Sequence, residues 1–252
     1  MEHGFRGLEL GSWTLWPERM SKADVRELRV QAAGSGIDLS VHFIHRGVAP
    51  ASHDAQRRAR HLTELEATLH LAHDIGARPV VVHPGPVDCP GVEPAEAPER
   101  ARREAIRHLE GFLPRAAGMA EETGAVLCVE NLAHVPGLVI QSYVELVELV
   151  EAVDSPAVRI TLDLGHADLA DGVAPAFDAF APYLRHIHIH DSDGRRDHHE
   201  IGRGTMDFSE CRPRLVAYPH LIVMETRDES DAEGCVLRSR DRLRELPGAS
   251  AR

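Results

Sequence analysis

One sequence pattern recurs along this chain: a short apolar, strand-like run ends in a residue with a carboxylate or imidazole side chain. Helix-like segments separate most of these runs. The runs and their terminal residues are DLSVH to His42, PVVVH to His83, VLCVE to Glu130, RITLD to Asp163, RHIHIH through His188, and LIVME to Glu225. Alternating strands and helices predict a parallel sheet. In a closed parallel barrel the carboxyl ends of all strands open on one face, so these side chains are expected to converge there.

The predicted fold is α/β, a TIM-type (β/α) barrel. Strand-like segments fall near 7–12, 36–44, 78–83, 125–131, 158–164, 184–191 and 221–226. This is seven strands, not the usual eight, and the chain opens almost directly on GFRGLELG, so we expect an incomplete barrel whose first β/α unit is missing. No linker interrupts the 252 residues, which predicts one domain over 1–252.

The helical segments carry local signals of their own. The pairs Ser21/Asp24 and Ser142/Glu145 fit capping boxes. Pro114 is expected to kink or divide the helix predicted over 97–122. Several histidines lie in helical segments and are expected at the surface: His53, His61, His70, His73 and His108.

Composition narrows the classes of partner and compartment. A net charge of −12 argues against a nucleic-acid partner, although a local basic rim could coexist with it. The cysteines show no CxxC spacing, so neither a zinc knuckle nor a disulfide framework is suggested. With no signal-peptide pattern and no apolar run of membrane-spanning length, the expected location is the cytoplasm, with no membrane partner.

Three carboxylates end apolar runs, and each has two interpretations. A buried Asp163, Glu130 or Glu225 needs a cation or several hydrogen-bond donors. Alternatively, Asp163 caps the next helix, Glu130 pairs with an arginine, and Glu225 pairs with the nearby Arg227. Converging carboxylates and imidazoles are typical of a divalent-metal site.

The histidines extend this set. Period-two geometry places His186, His188 and His190 on one face, too spread out to share one ion, so one is expected to bind and the others to fill the barrel interior or rim. His42 and His83 are either ligands or hydrogen-bonding neighbours of ligands.

Two loops rich in proline or glycine, 84–98 and 192–206, follow strands that end in candidate ligands and are expected at the mouth of the site. In the second loop, Asp197 and His199 form a chelating pair or belong to a solvated loop. The signatures of dinucleotide-binding, P-loop and serine-hydrolase proteins are absent from the sequence.

The motifs VVVHPGP, VLCVENL, ITLDLGHADLA, HIHIHDSDG, DHHEIGRGTMDF and LIVMET, in this order, resemble the xylose-isomerase-like TIM-barrel superfamily over roughly residues 5–246. That superfamily contains sugar (phosphate) isomerases and epimerases and endonuclease IV-type nucleases. The ENL, DxGHA and HxHDxxG motifs are specific when taken together.

The resemblance to the isomerases and epimerases implies one metal ion held by Glu130, Asp163, His188 and Glu225. Glu130 and Glu225 would also be the catalytic acid/base pair, and His83 and His166 would bind substrate. Mixed oxygen and nitrogen ligands favour Mn²⁺ or Zn²⁺, and Mg²⁺ or Co²⁺ would also fit. We expect a small sugar-like substrate and a possible homo-oligomer, since an incomplete barrel exposes a strand edge.

The resemblance to endonuclease IV implies a different activity, hydrolysis of abasic DNA at three zinc ions. The matching positions are His42, His83, Glu130, Asp163, His166, His188, Asp197, His199 and Glu225. The spacing to Gly202 favours His198 in place of His199. The DLGHADLA motif is more similar to that of the isomerases, and no basic or aromatic loop that could insert into DNA is evident. Isomerase or epimerase is therefore the leading hypothesis. A third alternative is a barrel that binds a metabolite without turnover.

Overall fold

The computed structural model describes residues 3–11, 17–43, 47 and 49–245. Its sheet contains seven parallel strands that pair in chain order. They are β1 (Gly7–Gly11), β2 (Asp38–His42), β3 (Pro79–Val82), β4 (Val126–Glu130), β5 (Val158–Asp163), β6 (Leu184–Ile189) and β7 (Ile222–Met224). The predicted seven-stranded TIM-type barrel is therefore confirmed. Residues 12 and 44, at the ends of two predicted strands, and residue 246, at the end of the family resemblance, lie outside the described residues.

Helices alternate with the strands and cover the sheet. They are α1 (Lys22–Ser35), α2 (Ala55–Ile75), α3 (Glu99–Thr123), α4 (Tyr143–Val153), α5 (Leu164–Asp168), α6 (Val173–Phe180), α7 (Phe208–Ala217) and α8 (Ala232–Glu245). The capping box of α1 is confirmed, with both reciprocal bonds between Ser21 and Asp24 present. At α4 only half of the motif forms, because the carboxylate of Glu145 accepts from the backbone N–H of Gln141 instead of Ser142.

The helix α3 is continuous through Pro114, so of the two expected outcomes, a kink or a division, the division is wrong. Proline removes a backbone hydrogen bond at a cost of about 3 kcal/mol in a helix interior. However, Leu109, Phe112 and Leu113 are buried beside it, and each such side chain contributes roughly 1.5–3 kcal/mol. Packing of this apolar face offsets the local penalty.

The core lies between the sheet and the helices. All four residues of β3 are buried, as expected for a parallel strand covered on both faces. Fully buried side chains come from helices and strands alike: Leu65, Leu69, Leu109, Leu127, Leu146, Ile160, Leu162, Phe180 and Ile187. None of the described helices is long and apolar enough to cross a membrane.

His61 is buried, contrary to the prediction that it lies at the surface. Its ring packs between Phe43 and Phe112, with centroid distances of 5.0 and 5.4 Å. The position lies one helical turn before Leu65 and two before Leu69, on the face of α2 that meets the core. Helical periodicity therefore outweighs the polarity of this side chain.

The barrel is nearly closed by contact between β1 and β7, the two ends of the sheet. The Leu221 side chain occupies the space that a Cβ would need at residue 7, with its Cδ1 2.1 Å from the ideal Cβ position, so a larger residue there would displace Leu221. Because the strands run parallel around the barrel, their carboxyl ends surround a common mouth.

Candidate metal centre

The structure brings the strand-end residues together at one face. His42, Glu130 and Asp163 are the last residues of β2, β4 and β5, and His188 lies one residue before the end of β6. His83 and Glu225 directly follow β3 and β7. Four of these side chains are almost fully buried, whereas His83 and Glu225 are 15% and 17% exposed and face the mouth.

The Nδ1 atom of His188 lies at the centre of three carboxylates. It is 3.1 Å from Oε2 of Glu225, 3.5 Å from Oε1 of Glu130 and 3.8 Å from Oδ2 of Asp163. Ligand atoms that share an ion at roughly 2.1 Å lie about 3–4 Å from one another. His188 Nδ1 and Glu130 Oε1 are both buried without a hydrogen-bond partner among the described residues. Ligand atoms of His42, Glu130, His188 and Glu225 lie within 4.8 Å of one another, and those of Glu130, Asp163 and His166 form a second such group that shares Glu130, so the cluster fits divalent metal.

The second oxygen of Glu130 faces two further imidazoles. Its Oε2 lies 2.9 Å from Nε2 of His83 and 3.3 Å from Nε2 of His42. The Nδ1 of His42 is 2.8 Å from the carbonyl of Phe43, and since a carbonyl only accepts, Nδ1 carries a proton. In neutral His42 the lone pair of Nε2 would then face a carboxylate oxygen, so a proton or a metal ion must lie between them.

A third group forms around His166. Its Nε2 is 3.4 Å from Oδ2 of Asp197, whose other oxygen is 3.8 Å from Nε2 of His198. The imidazole of His199 points elsewhere, 3.4 Å from a carboxylate oxygen of Asp193. The structure thus brings His198, and not His199, to the cluster.

Electrostatics keeps the carboxylates ionised despite their burial. Burial alone would raise the pKa of Glu130, but the imidazoles of His83 and His188 hold it well below its ordinary value. Burial likewise opposes protonation of His188, but Glu9 and Glu130 raise its pKa well above the ordinary value. Without metal, protons neutralise this cluster, and a metal ion must displace them on binding.

Asp163 also has the structural role that was its alternative interpretation. Its Oδ1 accepts the backbone N–H of His166 at 2.7 Å, which caps α5. Its Oδ2 is 2.9 Å from Nε2 of His190, and its backbone N–H donates to Oδ1 of Asn131 at 2.8 Å. The residues that directly follow β4 and β6 therefore hold Asp163, Asn131 through its backbone and His190 through its carboxylate.

Glu225 uses its two oxygens differently. Oε2 faces His188, and Oε1 accepts from Nη2 of Arg227 at 3.0 Å. The arginine that sequence reasoning offered as an alternative partner is thus present, but it leaves the inner oxygen directed towards the cluster. Burial would raise the pKa of Glu225, and His188 lowers it below the ordinary value.

Glu9 is a member of the cluster that the sequence analysis did not identify. Its Oε1 lies 2.9 Å from Nε2 of His188, and its Oε2 lies 2.9 Å from Nε2 of His186. The run Gly7–Gly11 alternates leucine with small or acidic residues, and Leu8 is 49% exposed while Glu9 points inside. A carboxylate in the middle of a barrel strand was the signal that could have revealed it.

Comparisons with known proteins agree with this architecture. A family model described as a xylose isomerase-like TIM barrel matches residues 1–246. An uncharacterised protein of Methanocaldococcus jannaschii is 26% identical over 240 residues, covering 92% of this chain and 78% of the relative. A "Probable endonuclease 4" of Halorhodospira halophila is 25% identical over 234 residues, covering 84% of this chain and 75% of the relative.

Among solved structures, a D-tagatose 3-epimerase-like protein superposes with a TM-score of 0.82 and 22% identity, covering 97% of this chain and 89% of that chain. This similarity shows the fold. Because the family model spans nearly the whole sequence and the barrel matches it, the chain belongs to the xylose isomerase-like TIM-barrel family.

Proposed function

We propose that this chain is a divalent-metal-dependent isomerase or epimerase of a small sugar, sugar phosphate or related polyol. The observation that carries the proposal is the placement of His188 Nδ1 within 3.1–3.8 Å of carboxylate oxygens of Glu225, Glu130 and Asp163. The overall similarity to a D-tagatose 3-epimerase-like protein supports the same class.

The four residues Glu130, Asp163, His188 and Glu225 would hold one ion. Such an ion supplies a Lewis acid that binds neighbouring substrate oxygens and polarises a carbonyl group. Three oxygen ligands and one nitrogen ligand favour Mn²⁺ or Zn²⁺, with Mg²⁺ and Co²⁺ as alternatives.

The two glutamates are proposed to move the proton. One carboxylate accepts a proton from the carbon beside the substrate carbonyl, the C–H electron pair forms a carbon–carbon double bond, and the carbonyl oxygen takes up the charge. The other glutamate first takes a proton from solvent and then delivers it: delivery to the opposite face of that carbon reforms the carbonyl and gives the epimer. Delivery to the former carbonyl carbon gives the isomer, because the hydroxyl proton of the first carbon then passes to the former carbonyl oxygen and a new carbonyl forms. Glu130 is 1% exposed and Glu225 is 17% exposed, so the pair reaches the substrate from different depths.

His83 and His166 are proposed to bind the substrate. Their side chains are 15% and 10% exposed at the edge of the carboxylate cluster. Imidazole N–H groups there would donate to sugar hydroxyls and orient the reacting carbon.

Deuterium incorporation provides a direct test. Metal-free protein would be reloaded with Mn²⁺ or Zn²⁺ and incubated with ketoses and inosose-like polyols in D₂O, with exchange at the carbon beside the carbonyl followed by NMR. We expect metal-dependent exchange for at least one substrate class, and near one ion per chain by mass spectrometry. Metal loading without exchange in any substrate, combined with nicking of abasic DNA, would contradict the proposal.

A second candidate function is phosphodiester hydrolysis of the endonuclease IV kind. Two groups of residues support it. His42 and His83 face Oε2 of Glu130, and Asp197 lies between His166 and His198. These groups could hold two further ions that generate hydroxide and bind a phosphate. Near three zinc ions per chain and cleavage of an abasic-site duplex would favour this function.

A further inference from the structure

We propose that Glu9 is a positioning residue for the metal centre: it holds His188 through Nε2, so that Nδ1 faces the ion, and thereby sets metal affinity. This inference rests on the proposed metal site and adds a residue from a strand that contributes none of the four proposed ligands. It concerns binding of the ion, not the chemistry on the substrate.

The contact lies on the opposite side of the imidazole from the carboxylate cluster. Glu9 Oε1 is 2.9 Å from His188 Nε2, whereas Nδ1 of the same ring faces Glu130, Asp163 and Glu225. An imidazole that binds metal through Nδ1 carries its remaining proton on Nε2. The contact is a close ion pair and not an aligned hydrogen bond, since Nε2 of His188 has no hydrogen-bond partner among the described residues. The negative charge of Glu9 beside that proton favours this tautomer and makes the imidazole a stronger ligand.

Glu9 is itself held in place through its other oxygen. Oε2 accepts a hydrogen bond from Oγ of Ser40 at 2.8 Å and lies 2.9 Å from Nε2 of His186. The Glu9 side chain is only 7% exposed, and both of these neighbours are fully buried. With Oε2 occupied by two partners, Oε1 is directed at His188.

The contact does not follow from strand pairing. Glu9 lies on β1 and His188 on β6, and β7 lies between these strands in the barrel. The side chain therefore reaches across the barrel interior. A buried carboxylate is unfavourable unless it is paired, and a polar or apolar residue could fill the space without that penalty. The carboxylate of Glu9 is paired with two imidazoles, and its Oε1 places a negative charge beside His188.

The test is metal affinity of the full-length chain, measured on metal-free protein by competition with a chelator. Glu9→Gln keeps the size of the side chain and removes its charge. We expect the dissociation constant for Zn²⁺ or Mn²⁺ to rise about 10- to 100-fold, the range for loss of such a carboxylate. The matched control is Glu66→Gln, which makes the same substitution at an exposed position of α2, away from the cluster; its affinity should equal that of the original chain.

Thermal unfolding of the metal-free variants separates positioning from a purely structural role. If Glu9→Gln lowers the unfolding temperature but leaves the dissociation constant unchanged, the inference is overturned. If Glu9→Gln does not fold, NMR of the unmodified chain still tests the inference. Long-range ¹H–¹⁵N NMR of the Zn²⁺ form, with His188 assigned by its loss in His188→Asn, should show Nε2 protonated. Metal bound at Nε2 would overturn the inference too.

These outcomes are distinct from failure of the proposed function. An unmodified chain that binds no divalent ion contradicts the metal site itself. Tight metal binding by both the unmodified chain and Glu9→Gln contradicts only the role of Glu9.

Discussion

The Nε2 atom of His190 lies 2.9 Å from Oδ2 of Asp163, so the histidine that directly follows β6 contacts the carboxylate that ends β5. The Nδ1 atom of His190 accepts the backbone N–H of His198 at 2.9 Å, which requires the ring proton to sit on Nε2. One side chain therefore links a proposed metal ligand to the loop that carries Asp197. This arrangement depends on Gly165, because the His190 ring lies directly against it.

Gly165→Ala is expected to destabilise the protein. A Cβ at this position would lie 2.0 Å from Cε1 of His190, so the ring would have to move away from Asp163. Overpacking of this kind costs about 1–3 kcal/mol, measurable by urea unfolding. The matched control is Gly111→Ala in α3, where a Cβ meets no described heavy atom within 4 Å. Because alanine favours a helix more than glycine does, this variant should increase the free energy of unfolding by up to about 1 kcal/mol. A Gly165→Ala variant as stable as the unmodified chain would contradict the packing argument.

Asp191→Asn is expected to loosen the loop after β6. The buried carboxylate accepts the backbone N–H groups of Ser192, Gly202, Gly204 and Met206 at 2.8–3.1 Å. An amide offers one oxygen instead of two, so some of these groups lose their acceptor, at about 1–3 kcal/mol for each buried group.

Trypsin provides the measurement for this loop, since Arg195 and Arg196 are exposed within it. Cleavage at these sites should be faster in Asp191→Asn than in the unmodified chain. Asp74→Asn, at an exposed position of α2, is the control and should leave the rate unchanged. Equal cleavage rates for all three proteins would show that Asp191 does not hold the loop.

Loss of either inner carboxylate is expected to lower metal occupancy. Glu130→Gln and Asp163→Asn each remove a charged oxygen within 3.8 Å of His188 Nδ1 while preserving side-chain size. Mass spectrometry or atomic absorption after dialysis against a defined metal concentration gives the occupancy. Glu229→Gln, an exposed position four residues beyond Glu225, is the control. Unchanged occupancy in both inner variants would refute the site.

Acid is expected to destabilise the protein partly through His61. Burial lowers the pKa of this imidazole to about 4, from an ordinary value of 6.5. Between these pH values the unfolded chain binds the proton and the folded chain does not, so stability falls as the pH drops from 6.5 towards 4. The loss from this group approaches about 3 kcal/mol at the acid end.

His61→Leu removes that titration. The stability of this variant relative to the unmodified chain should therefore be greater at pH 5 than at pH 8, as measured by urea unfolding at each pH. A difference that is the same at both pH values would show that His61 does not titrate differently in the folded and unfolded states.

Much of the fold is predictable from the chain because its signals are local. Apolar runs such as the one over 79–82 form strands, and the Ser21/Asp24 box begins a helix without reference to distant residues. The ends of those runs indicate which side chains share the mouth, since parallel strands in a barrel place their carboxyl ends on one face. That rule predicted the proximity of Glu130, Asp163, His188 and Glu225 without specifying any distance.

Selection between neighbouring side chains required tertiary structure. Two local spacings disagreed, since Asp-x-His favoured His199 and the spacing to Gly202 favoured His198. In the structure the loop is bound to Asp191, and His198 adopts a left-handed backbone with φ of 59° and lies beside Asp197. Such a conformation is set by the hydrogen bonds around the loop, which no local pattern encodes.

The sequence by itself determined the strands, their order along the chain and the ionisable residues at their ends, because these depend on periodicity within a few positions. Only the tertiary structure decided that Glu9 meets His186 and His188 and that His61 lies between two phenylalanine rings. The physical reason is that these contacts join segments far apart in the chain, and their distances are set by barrel closure and by packing of helices on the sheet.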